Sequence, residues 1–165
     1  MTTEKFIFFW GGTFSQWCPS PFTIDGVEYN CTEQYMMAKK ALVFGDYEAL
    51  NNIMNTDQPN EQKAYGRQIK GFNADIWNRV CRKIVYDANL AKFIQNPKMK
   101  LELLKSDDRE IVEASPEDRI WGIGMDENHP DILDKSKWQG TNWLGEAIMQ
   151  VREKIKQEIL IKKLL

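Results

Sequence analysis

The stretch from Asn73 to Pro97 constrains the fold most. Apolar residues recur there at three- and four-residue steps: Ile76, Trp77, Val80, Ile84 and Ala88. That spacing predicts one long amphipathic helix with a buried stripe, opened by Asn73 as N-cap and ended at Pro97. A helix of this length needs other helices or a sheet to cover its apolar face.

The flanking sequence predicts what covers it. Phe6-Ile7-Phe8-Phe9-Trp10 reads as a short apolar strand ended by Gly11-Gly12, and Pro19 and Pro21 punctuate a loop. Phe22-Thr23-Ile24 and Val27-Glu28-Tyr29 flank Asp25-Gly26, a hairpin signal. From Thr32 the pattern turns helical, with Tyr35, Met36, Lys39, Lys40 and Val43 in step until Gly45. Asp46 would cap a short helix through Asn55, and Asn60 another, with Ala64 and Ile69 inward and Gly71 at its end. A short helix over Lys98–Lys105 follows, and a last helix runs from about Asn142 towards Leu164 with Leu144, Ile148, Val151 and Ile155 inside. Ile111-Val112-Glu113 and Ile120-Trp121 read as strands around a Ser-Pro-Glu-Asp turn. The expected fold is α+β, mainly α: one compact domain over 1–165, core at about 6–155, with a small antiparallel sheet. Without βαβ alternation, Rossmann and TIM architectures are excluded.

Charge and cysteine content narrow the function. The net charge is −2, so no global basic field attracts nucleic acid, though one nucleotide could be recognised locally. Cys18, Cys31 and Cys81 are widely spaced and the one histidine is His129, a poor metal-ligand set. Free thiols suit a reducing compartment. Met1-Thr2-Thr3-Glu4-Lys5 lacks a signal-peptide pattern, and no apolar run reaches membrane-spanning length. The expectation is a cytoplasmic protein without metal, cofactor or membrane partner. A Ser-His-Asp triad and a Gly-x-x-x-x-Gly-Lys phosphate loop are both absent.

Two crowded segments carry the chemistry, Thr32–Ala41 and Ser115–Gly124. Glu33 reads either as a first-turn acid that suits the helix dipole, with Asn30 or Thr32 as its cap partner, or as a site carboxylate. Lys40 lies two helical turns from Glu33, hence on the same face, with Met36 and Met37 nearby. Most helical lysines are simply exposed, but a neighbouring cation, here Lys39, can lower an amine's pKa enough to make it a nucleophile. Asp118 reads as a turn aspartate or as a second site carboxylate. Gly122 and Gly124 flank one apolar residue, as where backbone runs close to a ligand. Trp121 could stack on a base or ribose, and Arg67, Arg79 and Arg82 could hold phosphate or make salt bridges. Ser15 and Asn142 either bind hydroxyls or cap local turns.

Taken in order, these blocks resemble the NADAR family, which includes the YbiA-like N-glycosidases. The matching pieces are Phe14-Ser15-Gln16-Trp17-Cys18-Pro19-Ser20-Pro21-Phe22, Tyr29 through Ala41, Lys63-Ala64-Tyr65-Gly66-Arg67, Trp77-Asn78-Arg79, Lys92 through Pro97, Leu103-Leu104, Glu113 through Gly124, and Gly140 through Gly145. The resemblance implies a metal-free hydrolase of N-glycosidic bonds to a phosphorylated ribose. Its implied substrates are ADP-ribose on guanine, possibly within single-stranded nucleic acid, or ribosylamino-pyrimidine phosphates of riboflavin synthesis. It assigns catalysis to Glu33, Lys40 and Asp118. Ser15, Trp17, Gln34, Arg67, Trp77, Trp121, Gly122, Gly124 and Asn142 would bind substrate. Relatives usually carry His after the acid, whereas this chain has Gln34, which hydrogen-bonds but cannot titrate.

A non-catalytic ADP-ribose or nucleotide reader would use the same aromatics and arginines. The tail Ile159-Leu160-Ile161 with Leu164-Leu165 suggests a monomer or a weak dimer.

Overall fold

The computed structural model describes Met1–Leu165. The elements are β1 (Phe6–Phe9), β2 (Phe22–Ile24), β3 (Val27–Tyr29), α1 (Thr32–Phe44), α2 (Tyr47–Met54), α3 (Pro59–Arg67), α4 (Ala74–Gln95), α5 (Pro97–Lys105), β4 (Glu110–Glu113) and α6 (Trp143–Leu164), with a short 3-10 turn at Lys135–Lys137. The fold is α+β and mainly helical. The chain divides into two compact units, Gln16–Asn96 and a discontinuous one made of Met1–Ser15 with Pro97–Leu165.

In the Gln16–Asn96 unit, α1 packs against α2, α3 and α4. Its first two turns are buried all round, from Thr32 to Ala38. The expected side-chain cap at Asn30 or Thr32 is not used. Cys31 occupies the N-cap without a side-chain bond, and the Gln16 carbonyl accepts from both the Glu33 N–H and the Thr32 hydroxyl at 3.1 Å. Gly45 ends the helix in the left-handed conformation, φ 68°. Asp46 caps α2 through the Ala49 N–H, as its sequence position predicts.

Three expectations here need correction. Pro59 is itself in the first turn of α3, after Gln58 as N-cap, so Asn60 caps nothing. Gln62 and Gly66, not Ala64, are its buried positions. The inner stripe of α4 is Trp77, Cys81, Val85, Ala88, Asn89, Lys92 and Phe93, whereas Ile76 is 45% exposed. The stripe is displaced because Asn89 and Lys92, which a hydrophobic pattern discounts, are fully buried. Asn73 does cap α4, accepting from the Ile76 N–H at 3.0 Å. The β2–β3 hairpin is antiparallel, and its Phe22 and Tyr29 pack with Tyr35 of α1.

In the discontinuous unit β1 runs parallel to β4, Phe6 opposite Glu110 and Phe9 opposite Glu113. The sheet expected to be antiparallel is therefore two separate pairs, one of each kind. A parallel pair needs a long crossover, and residues 10–109 supply it. Phe6, Phe8, Val112, Ala114, Ile123, Met125 and Ile132 form a core cluster that Trp138 edges. Helix α6 covers β4, with Leu144, Ile148, Val151 and Ile155 buried as the periodicity predicts. Ile120-Trp121 is not a strand. Asp118 Oδ1 accepts from the Ile120 and Trp121 N–H groups at 2.9 and 2.8 Å, which withdraws both amides from any ladder.

Candidate active site

Helix α1 brings the first cluster together. Glu33 is 4% exposed, so it is not a surface cap. A carboxylate is buried at high cost and only where something compensates it. Two turns on, Lys40 is half-buried and donates from Nζ to the Gly66 carbonyl at 2.9 Å. The same ammonium lies 4.6 Å from the Phe72 ring centroid and 5.8 Å from that of Trp77. Burial pushes the Lys40 pKa down, the Glu33 charge pulls it back up, and the Arg67 cation lowers it again, with a net decrease. Lys39 is not the cation responsible: its Nζ sits over the Tyr35 ring at 5.4 Å. Glu33 and Arg67 thus act on Lys40, which lies near the Trp77 ring; of these pairs, spacing alone predicts Glu33 with Lys40.

Gly66 makes room for this geometry. A Cβ built there would lie 2.0 Å from Met37 Sδ, so a larger residue would displace the buried Met37 side chain. Gly66, Phe72 and Lys63 are site neighbours that sequence reasoning assigned no role. Gly66 sat inside a matched block, while Phe72 follows a glycine in a loop and carried no signal. Trp17 is 43% exposed, and Lys63 Nζ lies 5.8 Å from its ring centroid.

Gln34 goes elsewhere. Its Oε1 accepts from the Asn30 N–H at 2.8 Å, and its Nε2 donates to the Ile53 and Thr56 carbonyls. Those bonds tie α1 to the start of the hairpin exit and to the end of α2, and Gln34 lines an open cleft of about 690 Å³ with Tyr29, Asn30, Thr56, Asp57 and Glu61. The cleft does not include Glu33 or Lys40. Another unforeseen group is Lys92, fully buried, its pKa pushed down to about 8 by burial and partly restored by Cys18 and Cys31.

The second cluster lies in the discontinuous unit. Asp118 forms an Asx turn through Oδ1, and its carbonyl accepts from the Gly124 N–H at 3.0 Å. Gly122 has its space filled by protein: a Cβ there would come within 2.8 Å of the Glu113 carbonyl and 3.0 Å of that of Asp118. Gly124 takes a φ of 69° against the Arg119 and Gln139 side chains. The close backbone approach inferred from Gly-x-Gly is thus one segment of the chain against another. The amides of Gln139, Thr141, Asn142, Trp143 and Leu144 donate to carbonyls between Arg119 and Ile123. Trp121 meets Trp143 edge to face at 5.8 Å. Asn142, at φ 52°, spends its side chain on the strand: Oδ1 accepts from the Glu113 N–H and Nδ2 donates to the Ile111 carbonyl, both at 3.0 Å. Ser15 lies in this unit too, its N–H donating to the Gly12 carbonyl at 3.0 Å.

No three of His, Cys, Asp and Glu gather in a metal-binding group. No helix is long and apolar enough to cross a membrane.

Comparison with known proteins bears on the family and the fold. The model of the NADAR domain matches residues 8–156. N-glycosidase R617 of Acanthamoeba polyphaga mimivirus is 40% identical, covering 95% of this chain and 100% of that protein. Protein irg-1 of Caenorhabditis elegans is 34% identical over 93% of this chain and 81% of its own length. The solved structure of the E. coli protein YbiA superposes with a TM-score of 0.79 at 25% identity, covering 97% of this chain and 90% of that one. With a matching domain model across both units and relatives aligned over nearly their whole length, this chain belongs to the NADAR family.

Proposed function

We propose that this protein hydrolyses the N-glycosidic bond between a phosphorylated ribose and a nucleobase-like amine, and that it removes ADP-ribose from guanine, free or in single-stranded nucleic acid. The observation that carries the reading is the Lys40 amine. It is half-buried, held at the Gly66 carbonyl, lowered in pKa, and on one helix face with a buried carboxylate, Glu33. The name of the mimivirus relative, N-glycosidase, supports the reaction class.

The chemistry follows from those groups. Breaking an N-glycosidic bond builds positive charge on C1 and leaves a nitrogen that needs a proton. Neutral Lys40 adds to C1 as the C1–N bond to the base breaks, and a carboxylic acid delivers the proton to the departing nitrogen. The ribosylamine opens to a Schiff base, water adds to C1, and the free amine and the ribose are regenerated. Glu33 stabilises the charge at C1 and takes the proton from water. The family resemblance assigns a second carboxylate to Asp118, whose Oδ2 is the oxygen left for that role, because Oδ1 is committed to two backbone amides. Trp77 would face the base or sugar and Arg67 the phosphate.

Borohydride reduction with substrate tests the lysine route. The expected result is a ribosyl mass increment on Lys40. An active protein that gains no such mass would overturn it and leave direct water attack assisted by Glu33. One observation favours a second substrate: the riboflavin biosynthesis protein VVA0006 of Vibrio vulnificus is 24% identical over 88% of this chain, which spans 36% of that protein's length. Turnover of ADP-ribosylated guanine oligonucleotides against ribosylamino-pyrimidine phosphates decides between the two.

A further inference from the structure

Two thiols and a buried amine stand together where the segment before β2 meets the start of α1, and the chemistry at Lys40 uses none of them. We infer that Cys18, Cys31 and Lys92 form an oxidation site, in which a hydroperoxide oxidises Cys18 and Cys31 then closes a reversible disulfide on it. The site would work whether or not Lys40 is a nucleophile.

Hydrogen bonds bring the three groups together from separate parts of the chain. The Gln16 carbonyl accepts from the Glu33 N–H at 3.1 Å, and the Ser20 N–H donates to the Asn30 carbonyl at 2.9 Å. These bonds bracket Cys18 on one segment and Cys31 on the other, so the cysteines lie on facing stretches of backbone that run in opposite directions. Helix α4 lies along the first of those stretches. Asn89 Nδ2 donates to Gln16 Oε1 at 3.2 Å, and Asn96 Nδ2 donates to the Pro21 carbonyl at 3.1 Å. Positions 89, 92 and 96 share one helix face. Lys92 therefore leaves α4 between two anchors, as Cys18 lies between their partners. The charges agree with that placement, since Cys18 and Cys31 both act on the Lys92 amine.

The surroundings divide the roles. Cys18 is partly exposed, within reach of a small oxidant. Cys31 is 1% exposed, and its thiol donates to Gln62 Oε1 at 3.3 Å. Lys92 is fully buried, its Nζ 5.2 Å from the Phe93 ring centroid. An amine beside a thiol favours the thiolate when charged and takes a proton when neutral. Burial brings the Lys92 pKa down to about 8, so both forms are populated near neutral pH.

The reaction has two steps. The Cys18 sulfur attacks one peroxide oxygen, the O–O bond breaks, and the thiol proton leaves with the departing hydroxide as water. Cys18 is then a sulfenic acid, and the two electrons it lost have reduced the peroxide. The Cys31 sulfur next attacks the Cys18 sulfur. Burial pushes the Cys31 thiol up to about 11, so this step needs a base. Neutral Lys92 accepts the proton and passes it to the leaving hydroxyl, which departs as a second water. Facing hydrogen-bonded segments carry Cα atoms about 4.5–5.5 Å apart, within the span that a disulfide bridges. Cys31 is the N-cap residue of α1, two positions before Glu33, so the bridge would act on the turn from which Glu33 emerges.

Peptide mapping of the full chain tests the site. The reduced protein is treated with hydrogen peroxide under native conditions, its remaining thiols are alkylated, and the digest is compared with and without dithiothreitol. The expected product joins the Cys18 and Cys31 peptides, lighter than their sum by two hydrogens, and dithiothreitol separates them. Cys81 should be alkylated, because it lies eleven residues before Lys92 on α4, about 16 Å along the helix. Cys18→Ser should abolish the product, and Cys81→Ser should retain it. Lys92→Met, checked for its fold by circular dichroism, should slow bridge formation at least about tenfold. Cys18 recovered as sulfinic acid beside an alkylated Cys31, or bridged to Lys92, to Cys81 or to a second molecule, would overturn the site. An unchanged rate in folded Lys92→Met would overturn the proton transfer assigned to the amine.

Discussion

Glu33 and Lys40 face the same side of α1 two turns apart, and the Glu33 charge offsets part of the decrease in pKa that burial and Arg67 impose on the Lys40 amine. The acid therefore has a role before any substrate arrives. It sets how much of the amine is neutral at a given pH. Glu33→Gln should lower the Lys40 pKa further while reducing turnover by about 10²–10⁴-fold through loss of the carboxylate. The two effects separate in one protein. Lysine ¹³Cε chemical shifts against pH report the amine, and single-turnover rates report the chemistry. A variant that keeps its turnover would remove Glu33 from the mechanism, and a protein without turnover that binds ADP-ribose equally well before and after the change is a reader.

The like charge of Arg67 gives the opposite shift. On the proposed route Lys40 reacts when neutral, so activity should rise as pH climbs through its lowered pKa. Arg67→Gln removes a positive charge that depresses the Lys40 pKa, so the acid limb of the kcat profile should move to higher pH. Measurement of kcat at saturating substrate isolates this from weaker phosphate binding, which appears in KM. An acid limb that stays in place would disconnect the two residues.

Gly66→Ala should cost about 1–3 kcal/mol of stability, because the new methyl meets Met37 Sδ. It should also impair turnover by moving the carbonyl that holds Lys40. Met37→Ala in the same chain removes the obstacle, so the double variant should be more stable than the sum of the single losses predicts. Urea unfolding of the four proteins checks the cycle.

At Asn142 two demands meet, a positive φ and two side-chain bonds to β4. Asn142→Gly keeps the first and loses the second, and Asn142→Ala loses both. The expected losses are about 1–3 kcal/mol for glycine, with a further ~1 kcal/mol for alanine. Equal unfolding midpoints for the two variants would show that backbone conformation is not strained there.

Lys92 predicts a pH dependence of stability. Its folded pKa of about 8 lies below the usual lysine value of 10.5. Between those values the folded protein has released a proton that the unfolded chain still holds, so this group adds stability as pH rises from about 8 and loses it as pH falls through 8. Lys92→Met should flatten that rise; the unfolded chain's thiols titrate at about pH 8.5 in both proteins, so the difference between the two midpoints isolates Lys92. Urea midpoints that climb equally in both proteins would assign the rise to another group.

Most of the helical framework could be read from the chain. Caps at Asp46 and Asn73, the stop at Gly45 and the inner face of α6 are local properties that the sequence determines locally. What escaped was non-local. The parallel pairing of β1 with β4 depends on a partner far along the chain, and the inner stripe of α4 depends on what buries Asn89 and Lys92. The site divides in the same way. Glu33 and Lys40 share a helix face that spacing alone reveals. Phe72 and the Gly66 carbonyl reach Lys40 from a loop and from another helix, and only tertiary structure places them there.

The register of β1 with β4 has a consequence for synthesis. Phe6 pairs with Glu110, so the first strand leaves the ribosome long before its partner exists. At roughly 5–20 residues per second the wait is on the order of 5–20 s. The Gln16–Asn96 unit is one unbroken segment and is complete on the nascent chain during that interval. Phe6-Ile7-Phe8-Phe9-Trp10 meanwhile stays unpaired, an uncharged aromatic segment of the kind that seeds cross-strand association. Translation slowed between residues 97 and 113 would prolong that exposure, and the yield of soluble protein would fall with it.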